Sequence, residues 1–167
     1  QNHIFDKLME AGKDFSLKPF GIRAMESLRV EKTYKLVGTE MSIEYAAFES
    51  GLDRFVHLNK GNFIGRDALV EWQQKGFKNK MVTLEVHGVE DADALGNNPI
   101  YIDNQVIGRA TGGNYGFRVK KSLAIGMVDP EYAKVGQNLE MDILDKKHKV
   151  TVIEDSPYDP NNEKLRA

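Results

Sequence analysis

Apolar side chains recur at two different spacings along this chain, and the change from one to the other divides it near residue 77. In "QNHIFDKLMEAG", Ile4, Phe5, Leu8 and Met9 share one face at helical spacing. That spacing predicts a helix over Asn2–Ala11, with Gly12 supplying a left-handed stop. "KDFSLKPFG" reads as a connector, because proline is tolerated at a helix start and not inside one. A second helix is predicted over residues 20–32, within "GIRAMESLRVEKTYKLVGTE". There Ile22, Met25, Leu28 and the stem of Arg29 form the core face, while Arg23, Glu26 and Glu31 point away. Gly38 marks the turn that follows. A third helix is predicted over residues 66–75, with Ala68, Leu69 and Trp72 as its stripe and Gly76 as its cap.

Beyond residue 77 the period becomes alternating. "KMVTLEVHG", "PIYIDN", "QVIGRATG", "SLAIGMV", "NLEMDIL" and "HKVTVIE" are short apolar–polar runs bounded by Gly, Asn, Asp or Pro. Such runs predict strands, and this set predicts a small antiparallel barrel or sandwich. "YIDNQV" and "ILDKKHKV" read as hairpins, and "DPEYAKVG" as a short helical excursion. The expected class is α+β, with a mixed front part over residues 1–77 and a β-rich back part over 78–167.

Composition narrows the setting without naming a reaction. The 167 residues are 41% hydrophobic with 29% charged and a net charge of −2. This supports a packed core and argues against nucleic acid as a dominant partner. There is no cysteine, so disulfides, thiolate nucleophiles and cysteine metal sites are excluded. No apolar run is long enough to span a bilayer, and no signal-peptide pattern opens the chain, so the expected location is the cytoplasm without membrane contact. The chain opens on Gln1 rather than Met, which reads as a fragment.

Most candidate chemistry is weak. His3, His57, His87 and His148 are scattered and lack metal-ligand spacing, so no metal is expected. "GGNYG" at 112–116 lacks the frame of a phosphate-cradling loop and reads as a loop joining strands. Ser50 lacks the nucleophile-elbow frame. Lys120 with Lys121, and the run Lys146, Lys147, His148, Lys149, read as solvated basic patches. From the residues alone the reading stops at a two-part α+β protein.

Four motifs carry a resemblance further. "FGIRAMESLRVEKTYKLVGTEMS", "FESGLDRFVHLNKGNFIGRDAL", "IGRATGGNYGFRVKKSLAIGMVDPEYAKVGQNLEMDIL" and "SPYDPNNEKLRA" follow one another in the order found in the folate-binding aminomethyltransferases. That family includes the glycine cleavage T-protein and the carboxy-terminal half of dimethylglycine and sarcosine dehydrogenases. "RAME" resembles the dehydrogenase branch. The resemblance implies the later part of a T-protein folate-binding domain over 1–77, followed by a six-stranded antiparallel β-barrel-like domain over 78–167. It also implies transfer of a one-carbon unit from an aminomethyl-bearing small molecule or carrier protein to tetrahydrofolate, or the alternative of a non-catalytic folate-binding or structural module on the same scaffold.

The family's catalytic aspartate and acidic pterin-binding residue have no counterpart here, so the catalytic residues stay unknown. The segment alone is expected to be inactive and to bind tetrahydrofolate weakly or not at all. Carried over position by position, the implied folate-binding residues are Tyr34, Met25, Arg54, Glu49 and Glu163. Tyr34 lines the cavity or fills the core, and Met25 stands where T-proteins have an arginine. Arg54 replaces an aromatic, Glu49 contacts ligand or holds its loop, and Glu163 follows "PYDPNN" where T-proteins place a tyrosine. Without a domain partner, the first helix is expected to expose apolar surface and to pair with a second copy as a homodimer.

Overall fold

The computed structural model describes residues 1–167. Four helices, α1 (Asn2–Ala11), α2 (Ile22–Glu31), α3 (Arg66–Lys75) and the single-turn α4 (Glu163–Arg166), accompany six strands. The strands are β1 (Lys80–Val86), β2 (Pro99–Ile102), β3 (Gln105–Gly116), β4 (Lys121–Val128), β5 (Asn138–Ile143) and β6 (Lys146–Ile153). They close into an antiparallel barrel in the order β1-β4-β3-β2-β5-β6, with β1 pairing to β6 to complete the ring.

The barrel follows from the alternation in the sequence. In β5, Leu139, Met141 and Ile143 are buried and their neighbours are not, so one face looks inward. Val82, Leu84, Ile100, Ala110, Ala124 and Val150 meet them inside. Strands β1 and β4 depart from strict alternation because both faces are covered. Met81, Leu123, Ile125 and Met127 point outward against Val30 of α2. The predicted hairpins form: Asp103 and Asn104 join β2 to β3, and Leu144 and Asp145 join β5 to β6, all four at positive φ as two-residue turns of this kind require. The predicted excursion in "DPEYAKVG" is a 3₁₀ turn at Pro130–Tyr132.

"GGNYG" is not a loop but the end of β3. A Cβ at Gly113 would lie 2.6 Å from the Leu123 carbonyl oxygen, and one at Gly116 would lie 2.9 Å from Glu31 Cγ. These glycines let neighbouring chain approach the strand closely.

The helices hold the main corrections. Gly12 has φ −82°, and the left-handed residue is Ser16 at φ 55°. Helix α2 is shorter than residues 20–32, and it turns the opposite face inward. Arg29 is buried as expected, but so are Ser27, Val30 and Glu31, whereas Ile22, Met25 and Leu28 are exposed. The polar face can be inside because each group finds a partner. Ser27 Oγ donates to the Tyr115 carbonyl at 2.6 Å. Glu31 Oε1 accepts the backbone N–H of Arg118 at 2.6 Å and of Val119 at 3.2 Å. Helix α1 buries no residue, and its Ile4, Phe5 and Leu8 lie open to solvent. Helix α3 matches its predicted bounds, with Trp72 exposed and nothing on it buried.

Candidate functional site

The chain leaving α2 forms the wall between two clefts. Thr33, at φ 53°, ends the helix by turning left-handed. Its side chain then belongs to a short relay. The Ser156 N–H donates to Thr33 Oγ1 at 2.8 Å, and the two threonine hydroxyls of Thr33 and Thr83 are 3.0 Å apart. Thr83 Oγ1 donates to Asp155 Oδ1 at 2.7 Å. Thr83 has one proton and spends it on Asp155, so Thr33 must donate to Thr83.

Lys32 draws the carboxy-terminal tail across the same region. Its Nζ donates to the Asp159 carbonyl and to Asn162 Oδ1, each at 2.7 Å. Arg29, buried beneath, donates to the Tyr34 carbonyl at 2.9 Å, pairs with Glu26 at 2.9 Å and lies 3.5 Å from buried Glu40. Tyr34 is thus fixed through its backbone while its ring stays about half exposed.

One side of Tyr34 faces a groove of about 420 Å³, walled by Met25, Leu28, Tyr158 and Leu165. That lining is mainly apolar and suits a flat ring. The other side faces a cleft of about 690 Å³ that carries Lys32, Lys35, Arg54, Arg166 and a single carboxylate, Asp155. Arg54 stands over the Phe55 ring with 4.6 Å between guanidinium carbon and centroid. Partial burial lowers the Lys35 pKa below the ordinary lysine value, an effect that Asp155 opposes and Arg54 reinforces. The chain as a whole is weakly acidic, so this cleft concentrates positive charge locally.

Of the residues singled out in the sequence, Tyr34 and Met25 line the groove, while Tyr34 and Arg54 line the cationic cleft. Glu49 is 1% exposed, and its carboxylate accepts the backbone N–H groups of Ala46 at 2.8 Å, Lys78 at 3.1 Å and Asn79 at 2.9 Å. That carboxylate is spent on holding its loop against the start of β1. Glu163, on α4, lines neither cleft. Sequence reading missed Lys35 and Tyr158, although both stand inside quoted motifs. "TYKL" shows a lysine beside the tyrosine, and nothing local reveals that it is half-buried.

Comparison with known proteins now adds to the geometry. Residues 1–60 match the GCVT N-terminal domain and residues 79–159 match the glycine cleavage T-protein C-terminal barrel domain. The chain belongs to the glycine cleavage T-protein family. Among relatives of this family member, an aminomethyltransferase of Caldanaerobacter subterraneus subsp. tengcongensis is 35% identical over 168 residues, covering 96% of the chain and 42% of the relative. The mitochondrial dimethylglycine dehydrogenase of Homo sapiens is 36% identical over 153 residues, covering 91% of the chain and 18% of the relative. The crystal structure of the glycine cleavage system aminomethyltransferase T from Bartonella henselae superposes with a TM-score of 0.81 at 21% identity, over 95% of the chain and 44% of that structure. The α+β architecture with its closed barrel is therefore the family's, and the chain spans less than half the length of these relatives.

Proposed function

We propose that this chain supplies the later part of a tetrahydrofolate site in a one-carbon transfer protein, an aminomethyltransferase or an amine demethylase. The observation that supports this is Tyr34, which stands between an apolar groove and a cationic cleft. A folate has that polarity, with a flat ring at one end and carboxylates at the other. Tyr34 would stack on the ring system, with Met25 as a wall of the groove, and Arg54 would face the carboxylate end. Glu163 lines neither cleft and Glu49 holds its own loop, so neither would touch the ligand. Tetrahydrofolate would accept the one-carbon unit from an aminomethyl-bearing small molecule or carrier protein, and the residues described here would bind and orient it. A second copy of the chain would cover the apolar face of α1 in the absence of another partner.

The test is NMR with ¹³C-methyl methionine and tetrahydrofolate added to millimolar concentration. Met25 in the groove and Met41 in the cleft should shift, while Met141 inside the barrel should not. Tyr34→Ala should weaken this response at least fivefold with little loss of thermal stability. Unchanged shifts in that variant, with a large drop in melting temperature, would make Tyr34 a packing residue and remove the support for the reading.

A further inference from the structure

The carboxy-terminal tail is fixed at its start and lightly held at its end. Up to Tyr158 it is bonded into the body of the fold. The Ser156 N–H donates to Thr33 Oγ1 at 2.8 Å, Ser156 Oγ donates to the Lys32 carbonyl at 2.8 Å, and the Tyr158 N–H donates to the Glu31 carbonyl at 3.0 Å. From Asp159 to Ala167 no residue is buried. Two hydrogen bonds from Lys32 Nζ, to the Asp159 carbonyl and to Asn162 Oδ1, are the only ones that join this stretch to the residues before it. Its remaining hydrogen bonds are internal. Asp159 Oδ1 accepts the N–H of Glu163 at 2.8 Å and of Lys164 at 3.3 Å, and the Asn162 carbonyl accepts the Arg166 N–H at 3.2 Å. The stretch is therefore one small body, attached through its chain junction and one ammonium.

Its position gives that attachment a consequence. Leu165 lines both the 420 Å³ groove and the 690 Å³ cleft, with Asp159 and Lys164 on the groove side and Asn162 and Arg166 on the cleft side. We propose that residues 159–167 form a strap that swings about the Tyr158–Asp159 junction, is latched shut by Lys32, and on opening joins the groove and the cleft into one trough. A terminal segment with no buried side chain and few bonds to its surroundings belongs to the least stable part of a fold, where local opening costs little beside global unfolding. Asp159, at φ 49°, stands at the pivot in a left-handed conformation that aspartate tolerates. The latch is releasable because both acceptors of Lys32 are neutral, and water can replace them as the ammonium turns outward. The identity of what passes the strap rests on the folate reading, whereas the motion stands apart from it.

The experiment uses the full chain. Because it has no cysteine, Ala167→Cys places a single nitroxide on the strap. With ¹³C-methyl methionine, the closed strap should broaden Met25 of the groove and Met41 of the cleft, while an unshifted Met141 reports that the barrel is intact. Lys32→Met should reduce this broadening at least threefold, Lys32→Arg should retain most of it, and Lys75→Met on α3 should leave it unchanged. In protein without the nitroxide, methionine line shapes give the rates of tetrahydrofolate exchange, and Lys32→Met should raise association and dissociation together at least threefold. Broadening that ignores Lys32→Met would overturn the latch, and its absence in the parent would overturn the closed strap. Faster dissociation alone would make Lys32 a ligand contact instead. Loss of broadening in Lys32→Met, with no tetrahydrofolate binding to any of these proteins, would uphold the strap while the folate reading failed. Binding whose rates ignore the variant would uphold the folate reading while the gate failed.

Discussion

Glu31 shows how much one side chain can decide. It is 1% exposed, yet its Oε1 receives two backbone N–H groups from the turn between β3 and β4. Glu31→Ala removes the acceptor of two part-buried donors, which should cost about 1–3 kcal/mol in urea unfolding. Glu31→Gln retains a carbonyl oxygen in that place and should lose roughly 1 kcal/mol; equal losses in the two variants would assign the effect to packing. Lys35 makes a prediction of a different kind. Its pKa in the folded protein lies below the 10.5 of a free lysine. The unfolded chain therefore holds the proton more tightly, and stability should rise as pH climbs from the native pKa toward 10.5. Lys35→Met should remove that rise and stabilise the protein at neutral pH. Urea melts of both proteins at about pH 7 and about pH 10 measure it, and an undiminished slope in the variant would place the titration on another group. Neither residue announced itself in the sequence. Glu31 sits at a position that helical spacing assigns to solvent, and the burial of Lys35 depends on a tail more than a hundred residues away. Tyr34 stood out because it closes a motif, and it lines both clefts.

At the level of elements, the strands were legible because alternation is a local property and turn residues bound each run. The hairpin residues Asp103 and Asn104 suit positive φ, and Leu144 does not. An exposed leucine at φ 50° gains nothing from packing and bears the left-handed penalty. Leu144→Asn should therefore stabilise the barrel by about 0.5–1 kcal/mol, read as a raised urea midpoint with unchanged slope. A neutral or destabilising result would show that the leucine is packed in solution. The facing of α2 was not legible, for a physical reason. Its amphipathic stripe is genuine, but the barrel takes the opposite side through Val30 and a set of satisfied polar groups. Periodicity identifies an apolar face without identifying what covers it. The glycines of "GGNYG" misled in a related way, since close approach by Ala94 and Glu31 calls for glycine as surely as a turn does.

Across the whole molecule the packing is uneven. The barrel and the inner side of α2 hold the buried side chains, while Ile4, Phe5 and Leu8 of α1, Phe20, Ile22 and Leu28 remain open. Apolar surface on that scale favours self-association. Light scattering across a concentration series should show a rising mass, and the pair Phe5→Glu and Leu8→Lys should return it to a monomer; a constant monomeric mass in the parent would count against a homodimer through α1. The closed barrel sets the manner in which such association proceeds. Every strand has a neighbour on each side, so no edge offers unpaired backbone groups to another chain. Heating that loosens only the helices should give amorphous, reversible clusters that do not bind amyloid dyes, and fibrils should require the ring to open first.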